Sequence, residues 1–129
     1  MFVQERVVAG AQQDEVVEVG GSAVGPVAVS EAILMEVLAG ARDERRRVDL
    51  RRLLTAFAWI KADAVADFEG AARVYRQCRS AGVTPRGLID CMIVTVAIRS
   101  GSDLLTADRD FHQIARVVPI RLDEASAAP

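Results

Sequence analysis

Residues 84–111 read TPRGLIDCMIVTVAIRSGSDLLTADRDF, and this stretch decides the fold. Thr84 followed by Pro85 predicts a helix start, because a threonine oxygen can accept from the first free N–H groups and proline at the first helical position gives up no hydrogen bond. Gly101 predicts its end. In between, Leu88, Ile89, Met92, Ile93, Val96 and Ala97 recur at the spacing of one apolar helix face. Asp90 stands just past the edge of that stripe. Residues 104–106 follow as a short apolar strand, with Asp108 and Asp110 directly behind it. A helix-borne carboxylate beside a strand whose carboxyl end carries two more makes an oxygen cage suited to a hard divalent cation.

Upstream, residues 30–40 read SEAILMEVLAG and predict a second informative helix. Ser30 caps it, Glu31 suits the positive end of the helix dipole and Gly40 ends it. Ile33, Leu34, Val37 and Leu38 form its buried face. Glu36 lies beside that stripe, so it faces either a cleft at the edge of the core or solvent.

The remaining chain alternates between the two periods. Residues 27–29 predict a strand and 43–56 a helix with Val48, Leu53 and Leu54 inward and arginines outward. Residues 57–61 predict a strand in which Trp59 supplies core bulk. Residues 64–81 predict a helix with Phe68, Ala71, Ala72, Tyr75 and Cys78 on one face, closed by Gly82. A short helix over 110–116 and a strand over 117–122 follow, and 123–129 reads as a frayed tail. Residues 1–8 suggest an interrupted strand, 9–19 a weak helix and 20–25 a turn. Strands alternating with helices predict an α/β domain with a mainly parallel sheet covered on both faces, spanning 1–122 as one unit. In such sheets ligands collect beyond the carboxyl ends of the strands.

A chain of 129 residues with 51% hydrophobic residues supports one domain with a single core. It has no apolar run of membrane-spanning length and no signal-peptide pattern, so a cytoplasmic, membrane-free protein is expected. Cys78 and Cys91 lack metal-ligand spacing and read as buried free thiols. The net charge of −2 does not announce a nucleic-acid binder. Arginines 42, 45, 46, 47, 51 and 52 nonetheless crowd one segment, which suits phosphates, an acidic partner or a solvated helix face.

Taken together, VSEAILMEVLAG, then GVTPRGLIDCMIVTVAIRSGSDLLTADRDFHQIA, then a short terminal strand resemble a PIN domain, in detail the VapC toxins of bacterial toxin–antitoxin pairs. The resemblance covers residues 27–122, with 1–26 poorly matched. It implies a three-layer α/β fold and a ribonuclease, dependent on Mg2+ or Mn2+, that cleaves RNA phosphodiester bonds with activated water. Glu36, Asp90 and Asp108 match the family's catalytic acids. With Asp110, a further acidic position, they form the implied ligand set for one or two ions. Carboxylates fit this chemistry because they hold a hard cation. Asp110 has a structural rival role as the N-cap of the helix that follows. His112, the only histidine, reads as a surface residue. Thr84 and Arg86 are candidates to touch substrate phosphates, but Thr84 is explained as a helix cap and neither is assigned a catalytic role. The resemblance also implies a cognate VapB-type antitoxin that threads a segment across the acidic cleft, a homodimer, and operator DNA bound only through the antitoxin. RNA specificity is expected in surface loops and the arginine-rich helix.

One part of the family pattern is missing. PIN domains of this type open with a hydrophobic strand ending in an aspartate, usually followed by Thr or Ser. Aligning MFVQERVV on that strand puts Glu5 in the aspartate's place with Arg6 beside it, and Asp14 follows Gln12 and Gln13 instead of a strand. Three explanations stand: the start of the gene product is missing, the N-terminus has diverged, or Glu5 substitutes. The alternative function is therefore a catalytically degenerate PIN domain acting as a partner-binding module. A third reading, a receiver-like regulator with an acidic pocket, wants a lysine late in the chain, whereas Lys61 is the only one.

Overall fold

A computed structural model of the chain describes residues 6–9, 27–123 and 126. Four strands, β1 (Arg6–Ala9), β2 (Val27–Ser30), β3 (Ala58–Ile60) and β4 (Asp103–Thr106), form one parallel sheet in the order β3-β2-β1-β4. Five helices flank it among the described residues: α1 (Glu31–Ala39), α2 (Glu44–Thr55), α3 (Ala64–Ser80), α4 (Leu88–Ser100) and α5 (Arg109–Ala115). This is the three-layer α/β architecture expected from the alternation of periods. The chain builds outward from β1 through β2 to β3, then returns to place β4 on the other side of β1. That reversal opens a crevice at the carboxyl ends of β1 and β4, where open α/β sheets hold their ligands. Pairing of Ala9 with Thr106 fixes the level of that edge.

The sheet is buried on both faces, so its strands carry continuous apolar runs instead of alternating ones. Val7, Val8, Val29, Leu104 and Leu105 are all fully buried. Helix α4 is the other central element: Cys91, Met92, Ile93, Val94, Val96 and Ala97 are buried on nearly all its sides. It ends as expected at Gly101, in the left-handed conformation (φ 69°) that glycine adopts without a Cβ clash, while the Ser102 N–H donates to the Ala97 carbonyl at 2.9 Å.

Packing between helices overrode several expected faces. Helix α3 lies against α4 through Asp67, Gly70, Ala71, Val74 and Cys78, whereas Phe68, expected inward, is 67% exposed. The reason is close approach: a Cβ on Gly70 would stand 2.4 Å from Thr95 Cγ2, so only the small-residue face admits α4. On α2 the buried residues are Leu50 and Leu54, with Val48 and Leu53 exposed. Trp59 sits on the short strand β3 at the sheet edge, partly exposed, its indole N–H donating to Glu31 at 3.3 Å. Asp67 is buried and accepts from Arg99 Nε and Nη2 at 2.8 and 2.9 Å and from the Asp63 N–H at 2.7 Å, joining the start of α3 to the end of α4. Burial alone would raise its pKa, but the Arg99 and backbone hydrogen bonds win and hold it below the ordinary value.

Two expected boundaries moved. Helix α4 starts at Leu88 behind an extended Gly87, so Thr84 does not cap it. Proline at 85 disfavours helical geometry at Thr84, and Pro85 itself is buried, anchoring an irregular entry segment. Instead of a full strand over 117–122 there is one bridge, between Leu104 and Leu122. The Asp123 N–H and Ser126 hydroxyl both donate to the Leu104 carbonyl, at 2.7 and 3.2 Å. The weak helix over 9–19 and the turn over 20–25 fall almost wholly outside the described residues. Cys78 and Cys91 are buried and free, and burial pushes both thiols up, Cys91 to about 11, so neither is a reactive thiolate. Among the described residues no helix is long and apolar enough to cross a membrane.

Candidate active site

Three elements deliver carboxylates to the crevice beside β4. Helix α1 leaves the carboxyl end of β2 and carries Glu36, half-buried, on the flank of its Ile33 and Val37 face. Helix α4 carries Asp90 in its first turn, also half-buried. Behind β4 the chain turns sharply. Buried Thr106 accepts from the Asp108 N–H through Oγ1 at 2.9 Å, and Asp108 Oδ1 accepts from the Asp110 N–H at 2.9 Å. Asp108, not Asp110, is therefore the N-cap of α5, and Asp110 occupies its first turn. These two local bonds fix the Asp108 carboxylate before any ligand arrives.

The four groups feel one another electrostatically. Burial pushes the Asp90 pKa up to about 6, with repulsion from Glu36, Asp108 and Asp110 adding to it and Arg86 partly offsetting it. Glu36 is raised for the same reasons, burial first and Asp108 second. Its Oε2 is buried without a hydrogen-bond partner. A buried carboxylate oxygen left unpaired is costly and marks a place where a proton or a cation belongs.

Arg86 belongs to this site, although its sequence position earned it no role. From the irregular segment before α4 it donates Nε to Asp110 Oδ2 at 2.7 Å, with Nη2 at 2.6 Å from the same oxygen. Its Nη2 reaches the two Asp108 oxygens at 3.4 and 3.5 Å. The sequence signal was faint: an arginine between a proline and a glycine, ahead of a helix that carries an acid.

Other expectations resolve as follows. The carboxyl end of β1 holds Ala9, buried and level with Thr106. Glu5 lies outside the described residues. His112 is half-buried with Nε2 unpartnered, not a surface side chain. The arginine-rich helix α2 borders a groove of about 440 Å³ lined by Arg47, Val48, Arg51, Arg52 and Thr55. A larger groove of about 680 Å³ runs along α3, and none of the four carboxylates lines it.

For a divalent cation the donor chemistry fits: four hard carboxylates, one orphaned oxygen, and mutual repulsion that adds to burial in raising Asp90. Among the described residues, however, no three of these side chains already stand in metal-ligating geometry. An ion would have to draw them together.

The PIN domain family profile matches residues 8–117. A VapC ribonuclease from Mycobacterium bovis and ribonuclease VapC11 from Mycobacterium tuberculosis are each 39% identical to the chain over 95 residues, covering 74% of it and 71% of the relative. Among solved structures, VapBC2 from Rickettsia felis bound to a DNA fragment from its promoter matches 93% of this chain and 98% of that one, with a TM-score of 0.71 at 15% identity. DNA-bound VapBC from Salmonella typhimurium matches 94% of this chain and 98% of that one, with a TM-score of 0.65 at 16% identity.

Proposed function

The chain belongs to the PIN domain family, and from that membership we propose that it is a ribonuclease toxin, dependent on a divalent metal and neutralised by a cognate VapB-type antitoxin. What supports this reading is the electrostatic coupling of Asp90 to Glu36, Asp108 and Asp110 beyond the end of β4, with one Glu36 oxygen left unpaired. Ribonuclease relatives of 39% identity supply the substrate class, RNA. Structural neighbours that are VapBC assemblies supply the partner class.

In this reading Glu36, Asp90, Asp108 and Asp110 would hold Mg2+ or Mn2+. When bound, the cation supplies a water of lowered pKa and positive charge opposite the phosphate. The chain's own contribution is preorganisation. Asp108 is oriented by the Asp110 N–H, and its own N–H is tied to Thr106, so its carboxylate does not have to be ordered on binding. Asp90 sheds its proton as pH rises through about 6 and is then mostly ionised. Glu36 offers an oxygen that no protein group competes for. A homodimer in the cytoplasm, reaching operator DNA only through the antitoxin, completes the proposal.

One observation favours the second reading, a degenerate domain that binds its partner without cleaving: among the described residues β1 ends on buried Ala9 and carries no carboxylate. Calorimetric titration of Mn2+ into the chain and into an Asp90→Asn, Asp108→Asn double variant, followed by an RNA cleavage assay, separates the two. Metal binding and cleavage lost together in the double variant support the ribonuclease. Absence of both from the unaltered chain, with antitoxin binding retained, supports the degenerate domain.

A further inference from the structure

We propose that Arg86 is a built-in rival of the metal ion: in the metal-free chain its guanidinium neutralises Asp110 and Asp108, and it yields them as a divalent cation enters. The inference rests on the metal-dependent reading above and adds a residue to it.

The geometry carries the argument. Both Nε and Nη2 converge on a single oxygen, Asp110 Oδ2, at 2.7 and 2.6 Å, while the same Nη2 stands 3.4 Å or more from Asp108. The fork thus spans two carboxylates from the proposed ligand set, firmly at one and loosely at the other. A carboxylate oxygen that accepts the Nε–H and lies 2.6 Å from Nη2 has little capacity left for a cation, and a guanidinium beside a divalent ion repels it. The two cations therefore compete for one pair of acids. Glu36 is less well compensated, with Oε2 unpartnered and only a minor offset from Arg86.

Arg86 is also built to let go. Its side chain is 64% exposed, against 16% for Asp108 and 37% for Asp110. Its backbone lies in the irregular segment between buried Pro85 and extended Gly87, so the side chain can swing into solvent without breaking a helix or uncovering the core. An exposed pair of this kind contributes little to stability, which makes exchange for an ion inexpensive.

The test is calorimetric titration of Mn2+, without RNA, into the unaltered chain, Arg86→Gln and Arg86→Lys. The expected result is an affinity about tenfold higher for Arg86→Gln, from loss of one competing charge close to the ion. Arg86→Lys falls between, since a point charge cannot span two carboxylates as the fork does. Equal or weaker Mn2+ binding by Arg86→Gln, with binding by the unaltered chain intact, overturns the rivalry and leaves the metal site standing. No Mn2+ binding by any of the three overturns the metal-dependent reading and the rivalry with it.

Discussion

Replacing Asp90 with asparagine should make the metal-free protein more stable at pH 8 while abolishing its activity. The pKa of Asp90 is raised from the ordinary 3.8 to about 6, by burial first and by its acidic neighbours second. A carboxyl raised on folding binds its proton more tightly in the folded state. It therefore contributes stability fully below the unfolded value, and that contribution is lost as pH rises through about 6. The gap corresponds to about 3 kcal/mol, and partial exposure of the group screens this to about 2 kcal/mol. Asparagine keeps the shape and carries no charge, so above pH 7 it escapes this cost. For a chain of this length the difference amounts to about 7 °C in melting temperature. Urea titrations with a chelator present, at pH 8 and pH 4.5, read it directly. The stability advantage of Asp90→Asn should shrink to about a third at pH 4.5, where the folded aspartic acid is already protonated. Saturating Mn2+ at pH 8 should restore the unaltered chain and leave the variant unmoved. Equal stabilities at pH 8, or a gap that persists undiminished at pH 4.5, would refute the electrostatic reasoning and with it the crowding of acids around Asp90.

Asp108 has two separable jobs, so Asp108→Asn and Asp108→Ala should both lose RNA cleavage, while only the alanine variant loses the cap and melts lower than asparagine by about 1 kcal/mol in chemical denaturation. Arg99→Ala leaves Asp67 charged, buried and without its arginine, at a cost of about 3 kcal/mol. Because the folded pKa of Asp67 is depressed, that cost is present above its unfolded value near 3.8 and disappears as pH falls through the lower folded value, which denaturation across pH 3 to 7 can follow. Gly70→Ala should destabilise by about 2 kcal/mol through the clash with Thr95 Cγ2, and Thr95→Ser should recover much of it. Additive effects in that double-mutant cycle would mean that the two helices do not meet there.

Local chemistry wrote much of this protein into its sequence. The α4 helix, its Gly101 stop, the β4 strand and the acids Asp90, Asp108 and Asp110 were legible because helix period, capping and strand length depend on residues a few positions apart. Glu36 was legible as an acid on the edge of an apolar stripe, although nothing local said whether that edge faced a cleft. The tertiary structure alone decided the rest. Phe68 lost its place in the core to Gly70 because the depth to which two helices approach is set by both partners. Leu50, not Val48, turned inward because α2 is oriented by α1. The reversal in the order of strand addition, which places β4 on the far side of β1, is a property of the whole chain order. Arg86 joined acids 22 and 24 residues away. The raised pKa of Asp90 comes from burial first and then from charges brought together through space, a quantity that no local pattern of residues contains.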